Sequence, residues 1–318
     1  MCMYLMFKSF KKISYTHLNM TDIIIMKPFL KWVGGKTQII DNILLKIPGE
    51  IYNYHEPFLG GGSVLLGVLS LNKKTQFIKG DIYAYDYNKN LINVYNCIQT
   101  NPNELYNQLK IYIDEYSNIS GEIINRNPLN IDDAKTSKES YYYWIRRKYN
   151  TSEDNIIDKS AMFMFINKTC FRGLYREGPN GYNVPFGHYK NTTFLKKDEM
   201  IEISVFIKNV KFIHSDFKDS LKIPKKEDFV YLDPPYAPET NKSFVGYTKS
   251  GFNLNMHQNL FDEISKLNKI GVNFLMSNSN VSLVTEYFKD YNCEELVARR
   301  SINSKNPGST TTEVLIYN

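Results

Sequence analysis

The chain has 318 residues, 39 Lys+Arg against 33 Asp+Glu (a formal charge of +6), and is 42% hydrophobic and 14% aromatic. That is too much apolar and aromatic content for a disordered chain, and the length suits one large domain with a smaller one attached. No apolar run approaches the roughly 18–20 residues a bilayer span needs, so no membrane partner is expected. Cys2, Cys97, Cys170 and Cys293 lie far apart with no Cys-x-x-Cys pair, which disfavours a disulfide framework or thiolate zinc site and suits a reducing, cytoplasmic setting. Near the start, Lys8, Lys11 and Lys12 follow an apolar run rather than precede it, the reverse of a secretory signal. Residues 1–26 are set apart as an extension with no readable role.

In chain order, spacing predicts a helix over 37–45, with Ile39, Ile40, Ile43 and Leu44 on one side. A strand over 51–55 runs into a glycine turn and an apolar helix from Val64. A second strand over 76–86 is followed by a helix over 88–98. Strand, glycine turn, helix, and a strand ending in an acid outline a nucleotide-binding α/β half. Residues 102–116 have helical period, and 117–138 are polar and loop-like. A tyrosine-rich helix carrying Arg146 and Arg147 follows, then an apolar helix over 160–167 and a turn-rich stretch over 171–190. The α/β pattern returns with strands at 210–214 and 229–232, a helix at 255–267, and strands at 272–276 and 313–317. The expected fold is therefore a doubly wound α/β sheet domain (27–100 and 206–318) interrupted by a mainly helical insert (101–205).

The most specific signal is Asp233-Pro234-Pro235-Tyr236, directly after the apolar run Phe229-Val230-Tyr231-Leu232. A buried strand thus carries the tetrad to its carboxyl end, where open α/β sheets bind ligands. The chemistry it suits is attack by an exocyclic amino nitrogen, whose lone pair is delocalised into its ring. An Asp carboxylate and a fixed main-chain carbonyl can accept the two amino hydrogens and localise that lone pair. Prolines fix the backbone and supply no competing N–H, and an aromatic in fourth place can stack on an extruded base. A proline-rich turn with a surface Asp is the plainer alternative. The strand context argues against it.

With this tetrad, the sequence resembles the amino-group DNA methyltransferases, and most closely the Dam-type adenine-N6 class that acts on GATC. The matching segments are Phe29-Leu30-Lys31-Trp32-Val33-Gly34-Gly35-Lys36, Glu56-Pro57-Phe58-Leu59-Gly60-Gly61-Gly62-Ser63, Asp86-Tyr87-Asn88 and Asp233-Pro234-Pro235-Tyr236-Ala237-Pro238. They occur in the family's order, and the resemblance covers nearly everything from Lys27 onward. It implies a Rossmann-like fold, S-adenosyl-L-methionine as methyl donor, double-stranded DNA as substrate and base flipping. Asp233, Pro234 and Tyr236 are implied as the catalytic group. The absence of Gly-x-Gly-x-x-Gly disfavours a dinucleotide, as expected for a cofactor without phosphate. Gly60 and Gly62 allow close approach of a turn, and Asp86 can accept from ribose hydroxyls. By resemblance Trp32 and Lys36 line the cofactor pocket, Phe58 flanks the methionine part, and Asp216 with Phe217 meets the adenine ring. The plainer alternatives are core packing for Trp32, a solvent-facing cation for Lys36 and a helix cap for Asp216.

Arginine occurs only at positions 126, 146, 147, 172, 176, 299 and 300, so the cofactor half holds none. The guanidinium fork suits guanine edges and phosphates. Two turn-rich halves, 167–176 and 181–190, suit a hairpin probing a groove. The resemblance places Leu174, Arg176 and Pro185 at base-reading positions, with Tyr189 and Lys190 toward the backbone. Arg172 stands where Asn is common in the family and His188 where Arg is common, so the nearby base contacts and the phosphate clamp depart from the family's pattern. Arg299 and Arg300 open a stretch that matches a basic loop near the family's C-terminus, though a plain hairpin between final strands fits equally. Residues 277–280 are expected as a turn. The five histidines show no metal-ligand spacing, so no metal site is expected. Alternatives are a non-GATC adenine or cytosine-N4 methyltransferase, a DNA-binding module with a vestigial pocket, and, more distantly, an NAD-dependent dehydrogenase. A monomer is expected, with a cognate restriction endonuclease as a functional rather than physical partner.

Overall fold

The computed structural model describes residues 23–152, 155–238, 252–299 and 310–318. Its strands are β1 (Tyr54–Glu56), β2 (Ile82–Asp86), β3 (Glu177–Gly178), β4 (Gly181–Tyr182), β5 (Val210–His214), β6 (Phe229–Leu232), β7 (Asn273–Ser279), β8 (Asn292–Arg299) and β9 (Thr310–Tyr317). A seven-stranded sheet runs in the order β5-β2-β1-β6-β7-β9-β8, while β3 and β4 form a separate small hairpin. β1 pairs in parallel with both β2 and β6, β2 with β5, and β6 with β7. β9 is antiparallel to β7 and to β8, so it alone runs backwards. Chain order reverses between β1 and β6. That switch point opens a crevice at the carboxyl ends of both strands.

Every residue of β1 and β6 is buried. This is why β6 reads as a continuous apolar run rather than an alternating one. The helix Ser63–Thr75 follows β1, and its residues 64–71 are all buried. Helix Lys89–Thr100 follows β2 and is capped by Asn88, whose side chain accepts from Leu91 N at 3.1 Å. Helix Leu254–Lys269 precedes β7 and is capped the same way by Asn253. Between β2 and β5 the chain forms helices Pro102–Ser117, Lys138–Thr151 and Ile156–Thr169, then the β3–β4 hairpin and helix Lys197–Phe206. One apolar cluster runs from the sheet into these helices, joining Leu65, Leu91, Tyr141 and Phe165. A second gathers Leu232, Phe261, Phe274 and Phe288 on the other side.

Four local expectations are corrected. Residues 277–279 continue β7 instead of forming a turn, because Ser277, Asn278 and Ser279 pair with Leu315, Val314 and Glu313. β8 and helix Lys197–Phe206 had no sequence signal, the helix because it buries only Met200 and Ile203. The polar stretch 117–138 holds one short helix, Ile131–Ala134, started by an Asn130 cap. Ile23 is buried in the main core and Met26 N donates to Ser70 Oγ at 3.2 Å, so residues 23–26 are part of the fold. Residues 1–22 lie outside the described residues.

Candidate active site

Asp233 leaves β6 at the switch point, and its carboxylate Oδ2 lies 2.8 Å from Lys36 Nζ. Lys36 is buried, its main-chain N–H donates to Ser63 Oγ at 2.9 Å, and its ammonium also donates to the Gly34 carbonyl at 2.5 Å. The solvent-facing alternative for Lys36 is therefore wrong, and it touches the acid of the tetrad directly. Burial pushes the Asp233 carboxyl up to about 6, with Lys36 pulling it back and the Glu313 charge adding to the rise. The same ammonium lies 4.9 Å from the centre of the Tyr236 ring. At its far end Tyr236 donates its hydroxyl to Glu313 Oε2 at 2.7 Å. Asn278 Oδ1 accepts from Ala237 N at 3.0 Å, and Ser279 Oγ donates to the Ala237 carbonyl at 2.6 Å. The end of β7 thus grips the turn just after the tetrad. Glu313 was not singled out from sequence, whereas Asn278 and Ser279 fell in the 277–280 stretch expected as a turn. Polar residues ending an apolar strand were the available signal for Asn278, and Glu313 had none.

Beside the tetrad, the turn after β1 is held by Asp86. Its Oδ2 accepts from Gly60 N at 2.9 Å and its Oδ1 from Asn88 N at 2.8 Å. Gly60 (φ +50) lies under the Trp32 indole, where an added Cβ would come 2.9 Å from Cδ1 and Nε1. Gly62 (φ +69) starts the next helix in the left-handed region, against the Tyr95 hydroxyl. Trp32 is half-buried and stacks on Phe163 and Tyr175 at 6.5 and 5.8 Å, so core packing accounts for part of its surface. Phe58 stacks on Phe217 at 5.8 Å, and both meet Phe252. Phe217 is buried, and Asp216 caps its short helix by accepting from Lys218 N at 2.8 Å, so the capping alternative describes its side chain. Glu56, at the end of β1, is buried and accepts from the Tyr54 hydroxyl at 2.7 Å. Burial, reinforced by the charges of Asp233 and Asp86, pushes Glu56 up to about 8.

In the hairpin, Arg172 and His188 both adopt left-handed backbone (φ 56 and 51) and both are exposed. Paired bonds hold the two limbs, Phe171 N to Pro185 O and Gly187 N to Thr169 O, each at 2.8 Å. Arg176 is exposed and bonds across the hairpin, Nε to Asn183 Oδ1 at 2.6 Å. His188 Nε2 lies 3.7 Å from Glu139 Oε2. Leu174 is half-buried, Pro185 and Lys190 are exposed, and the Tyr189 ring lies 3.8 Å under the Lys31 ammonium. Arg299 ends β8; its side chain, Arg300 and the rest of the expected basic loop lie outside the described residues. His55 bonds Asp228 and Tyr85, and His214 bonds the Tyr87 carbonyl. Among the described residues no group of three His, Cys, Asp or Glu is placed to hold a metal ion, and no helix is long and apolar enough to cross a membrane.

The strand order, the glycine turn and the acid–aromatic crevice define the class, a Rossmann-like methyltransferase fold. Residues 32–302 match the D12 class of N6 adenine-specific DNA methyltransferases, and the chain belongs to that family. It is 36% identical over 290 residues to the type II methyltransferase M.MjaIII of Methanocaldococcus jannaschii, covering 88% of this chain and 94% of that protein. It is 32% identical to M1.LlaDCHI of Lactococcus lactis, covering 92% and 95% of the two chains. It is also 32% identical to the DNA adenine methylase of Haemophilus influenzae, covering 88% and 89%. The protein is an enzyme that methylates adenine N6 in DNA with S-adenosyl-L-methionine as donor. This overturns the cytosine-N4, dehydrogenase and vestigial-pocket alternatives. The crevice fits that donor, because carboxylates and aromatic faces suit a cationic sulfonium and no arginine precedes position 126.

Proposed function

We propose that the enzyme methylates the adenine of GATC sites in duplex DNA, after rotating that adenine out of the helix into the crevice over residues 233–236. The observation that carries this reading is the buried Lys36–Asp233 pair at the sheet's switch point, beside the anchored Tyr236 ring. When bound, the cofactor supplies a methyl carbon made electrophilic by its sulfonium. Lys36 occupies Asp233 Oδ2 and leaves Oδ1 to accept one N6 hydrogen, while the Pro234 carbonyl accepts the other. Both acceptors point the N6 lone pair at the methyl carbon, and proximity and orientation supply much of the rate. Tyr236 stacks on the base. Transfer forms the N6–C bond, breaks C–S and costs N6 a proton, which the free Asp233 Oδ1 can accept.

On the cofactor side we assign Trp32, Lys36, Phe58, Gly60, Gly62, Asp86, Asp216, Phe217 and Asp233. Asp86 faces the ribose, and the Phe58–Phe217 stack forms an apolar wall. Residues 101–205 serve as the target-recognition unit on the catalytic unit 27–100 and 206–318. Its hairpin presents Arg172, Leu174, Arg176, Pro185, His188, Tyr189 and Lys190 to DNA, with Arg299 and Arg300 reaching the backbone near the flipped base. The enzyme acts as a monomer on cytoplasmic DNA. Relatives named as type II methyltransferases support a cognate restriction endonuclease as functional partner. The decisive experiment methylates a mixed DNA pool and maps the modified adenines. Modification confined to GATC is expected, and a different consensus overturns the specificity assignment. Asp233→Ala should abolish transfer and leave the melting profile largely intact; full activity in that variant sinks the mechanism.

A further inference from the structure

We propose that Glu313 is a positioning residue for methyl transfer, its carboxylate anchoring the Tyr236 phenol and so fixing the ring on which the target base stacks. The proposal rests on the reading of Tyr236 as that stacking platform. A tyrosine on a turn has two free side-chain torsions, and a fixed backbone controls neither. Here the backbone end is fixed by Asn278 and Ser279 through Ala237, at 3.0 and 2.6 Å. The far end is fixed by the hydroxyl bond to Glu313 Oε2 at 2.7 Å. A hydrogen bond to an ionised acceptor is about twice as strong as a neutral one.

Topology explains how a residue so near the C-terminus reaches the crevice. β9 runs backwards, so its early residues lie at the edge where the parallel strands end. Glu313 pairs there with Ser279, the residue that holds the Ala237 carbonyl. The β7–β9 pair therefore grips both ends of one tyrosine. Neither the tetrad nor the glycine turn contributes to this grip.

The test uses the full chain with cofactor and two duplexes, one carrying 2-aminopurine at the mapped target adenine for fluorescence and one keeping adenine there for the rate, because 2-aminopurine has no N6 amine to methylate. Stacking on the phenol quenches the flipped fluorophore, so Tyr236→Ala should brighten it. Tyr236→Phe and Glu313→Ala should each brighten it part of the way and lower the single-turnover rate about tenfold, with the KM for DNA nearly unchanged. Combining those two changes should add little to either alone, because both cut the same bond. Glu313→Gln keeps an acceptor and should restore most of the quenching and rate. If Glu313→Ala behaves as wild type while Tyr236→Ala does not, the assignment of Glu313 is overturned and stacking by Tyr236 stands. If Tyr236→Ala itself changes nothing, the stacking reading fails and Glu313 falls with it. Should Glu313→Ala not fold, Tyr236→Phe reads the same bond from its other end, and a wild-type result there refutes the proposal.

Discussion

Replacing Lys36 by Met removes the cation from Asp233 while keeping a side chain of similar volume at a buried position. The pair is separated by 2.8 Å, with Lys36 3% and Asp233 21% exposed. Coulomb's law at an effective dielectric of about 20 gives roughly 6 kcal/mol for that separation, an upper bound before the protein and water relax. Breaking one partner out of a buried pair costs about 3–5 kcal/mol. At 1.36 kcal/mol per unit, that moves a carboxyl by about two to four units. Asp233 starts at about 6 because burial already raises it. In the variant it would hold its proton up to about pH 8–10.

The ionised fraction at pH 7.5 then falls about fourfold at the low end and more than a hundredfold at the high end. In the proposed mechanism the carboxylate accepts an N6 hydrogen, so the rate should follow that fraction. The assay is single-turnover methyl transfer with DNA and cofactor saturating, so that weakened binding does not enter, from pH 5.5 to 9.5. The wild-type acid limb should lie near the Asp233 value of about 6. The Lys36→Met limb should lie at least two units higher, with activity recovering as pH rises. A loss equal at every pH, or a limb still near 6, would show that Lys36 acts only on cofactor binding.

Gly60→Ala places a Cβ 2.9 Å from the Trp32 ring on a backbone at φ +50. The left-handed conformation alone costs about 1–2 kcal/mol, so calorimetry should show cofactor affinity lowered about tenfold with DNA binding nearly unchanged, and unaltered cofactor affinity refutes the placement. Glu56 is held protonated up to about 8 by burial. The unfolded chain releases that proton near 4.5, so the folded state binds more protons between those values and stability falls as pH rises through them, by up to about 4 kcal/mol. Urea unfolding at pH 5 and 8.5 should show that slope flattened in Glu56→Gln; an identical slope refutes the neutral-acid assignment. Arg176→Ala should lower transfer to the mapped site by about 10- to 100-fold and relax preference at one base pair. A uniform loss across all sequences would make Arg176 a phosphate contact.

Strand β6 was legible because burial on both faces leaves a continuous apolar run, and edge strand β5 because its buried Val210 and Phe212 alternate with exposed residues. Phe229–Leu232 and Val210–His214 fall where the pattern puts them. The Asp86 position was legible too, since a strand followed by an acid and an Asn cap leaves few other folds. What stayed hidden depends on pairing across distance. β8 carries Glu294, Glu295 and Arg299 on an edge strand, and only its register with β9 makes it a strand at all. Ser277-Asn278-Ser279 has turn composition, yet β9 captures it as ladder, and Asn278 is buried because it holds Ala237. Glu313 is one acid among many until β9 runs backwards to the ligand edge. Lys36 was singled out with its partner unknown, because the Asp233 contact spans nearly two hundred residues of chain.

The segment Lys31–Trp32 explains why the hairpin and the glycine turn cannot be treated as separate sites. Asn167 is buried and bonds the Lys31 main chain both ways, accepting from Lys31 N at 2.8 Å and donating to Lys31 O at 2.7 Å. Gly173 (φ +64) brings the hairpin so close that a Cβ there would lie 2.3 Å from Lys31 Cβ. One residue on, the Trp32 indole stacks on Phe163 and Tyr175 and covers Gly60 and Gly61. The hairpin and the glycine turn thus pack on two sides of one dipeptide, joined by close packing with no slack to absorb a shift. Reacting atoms must be held within about half an ångström of their productive geometry. A rigid shared wall makes the positions of the hairpin and of the glycine turn interdependent, so under the proposed function the DNA and the methyl donor are aligned without the realignment that two hinged units would need at each turnover.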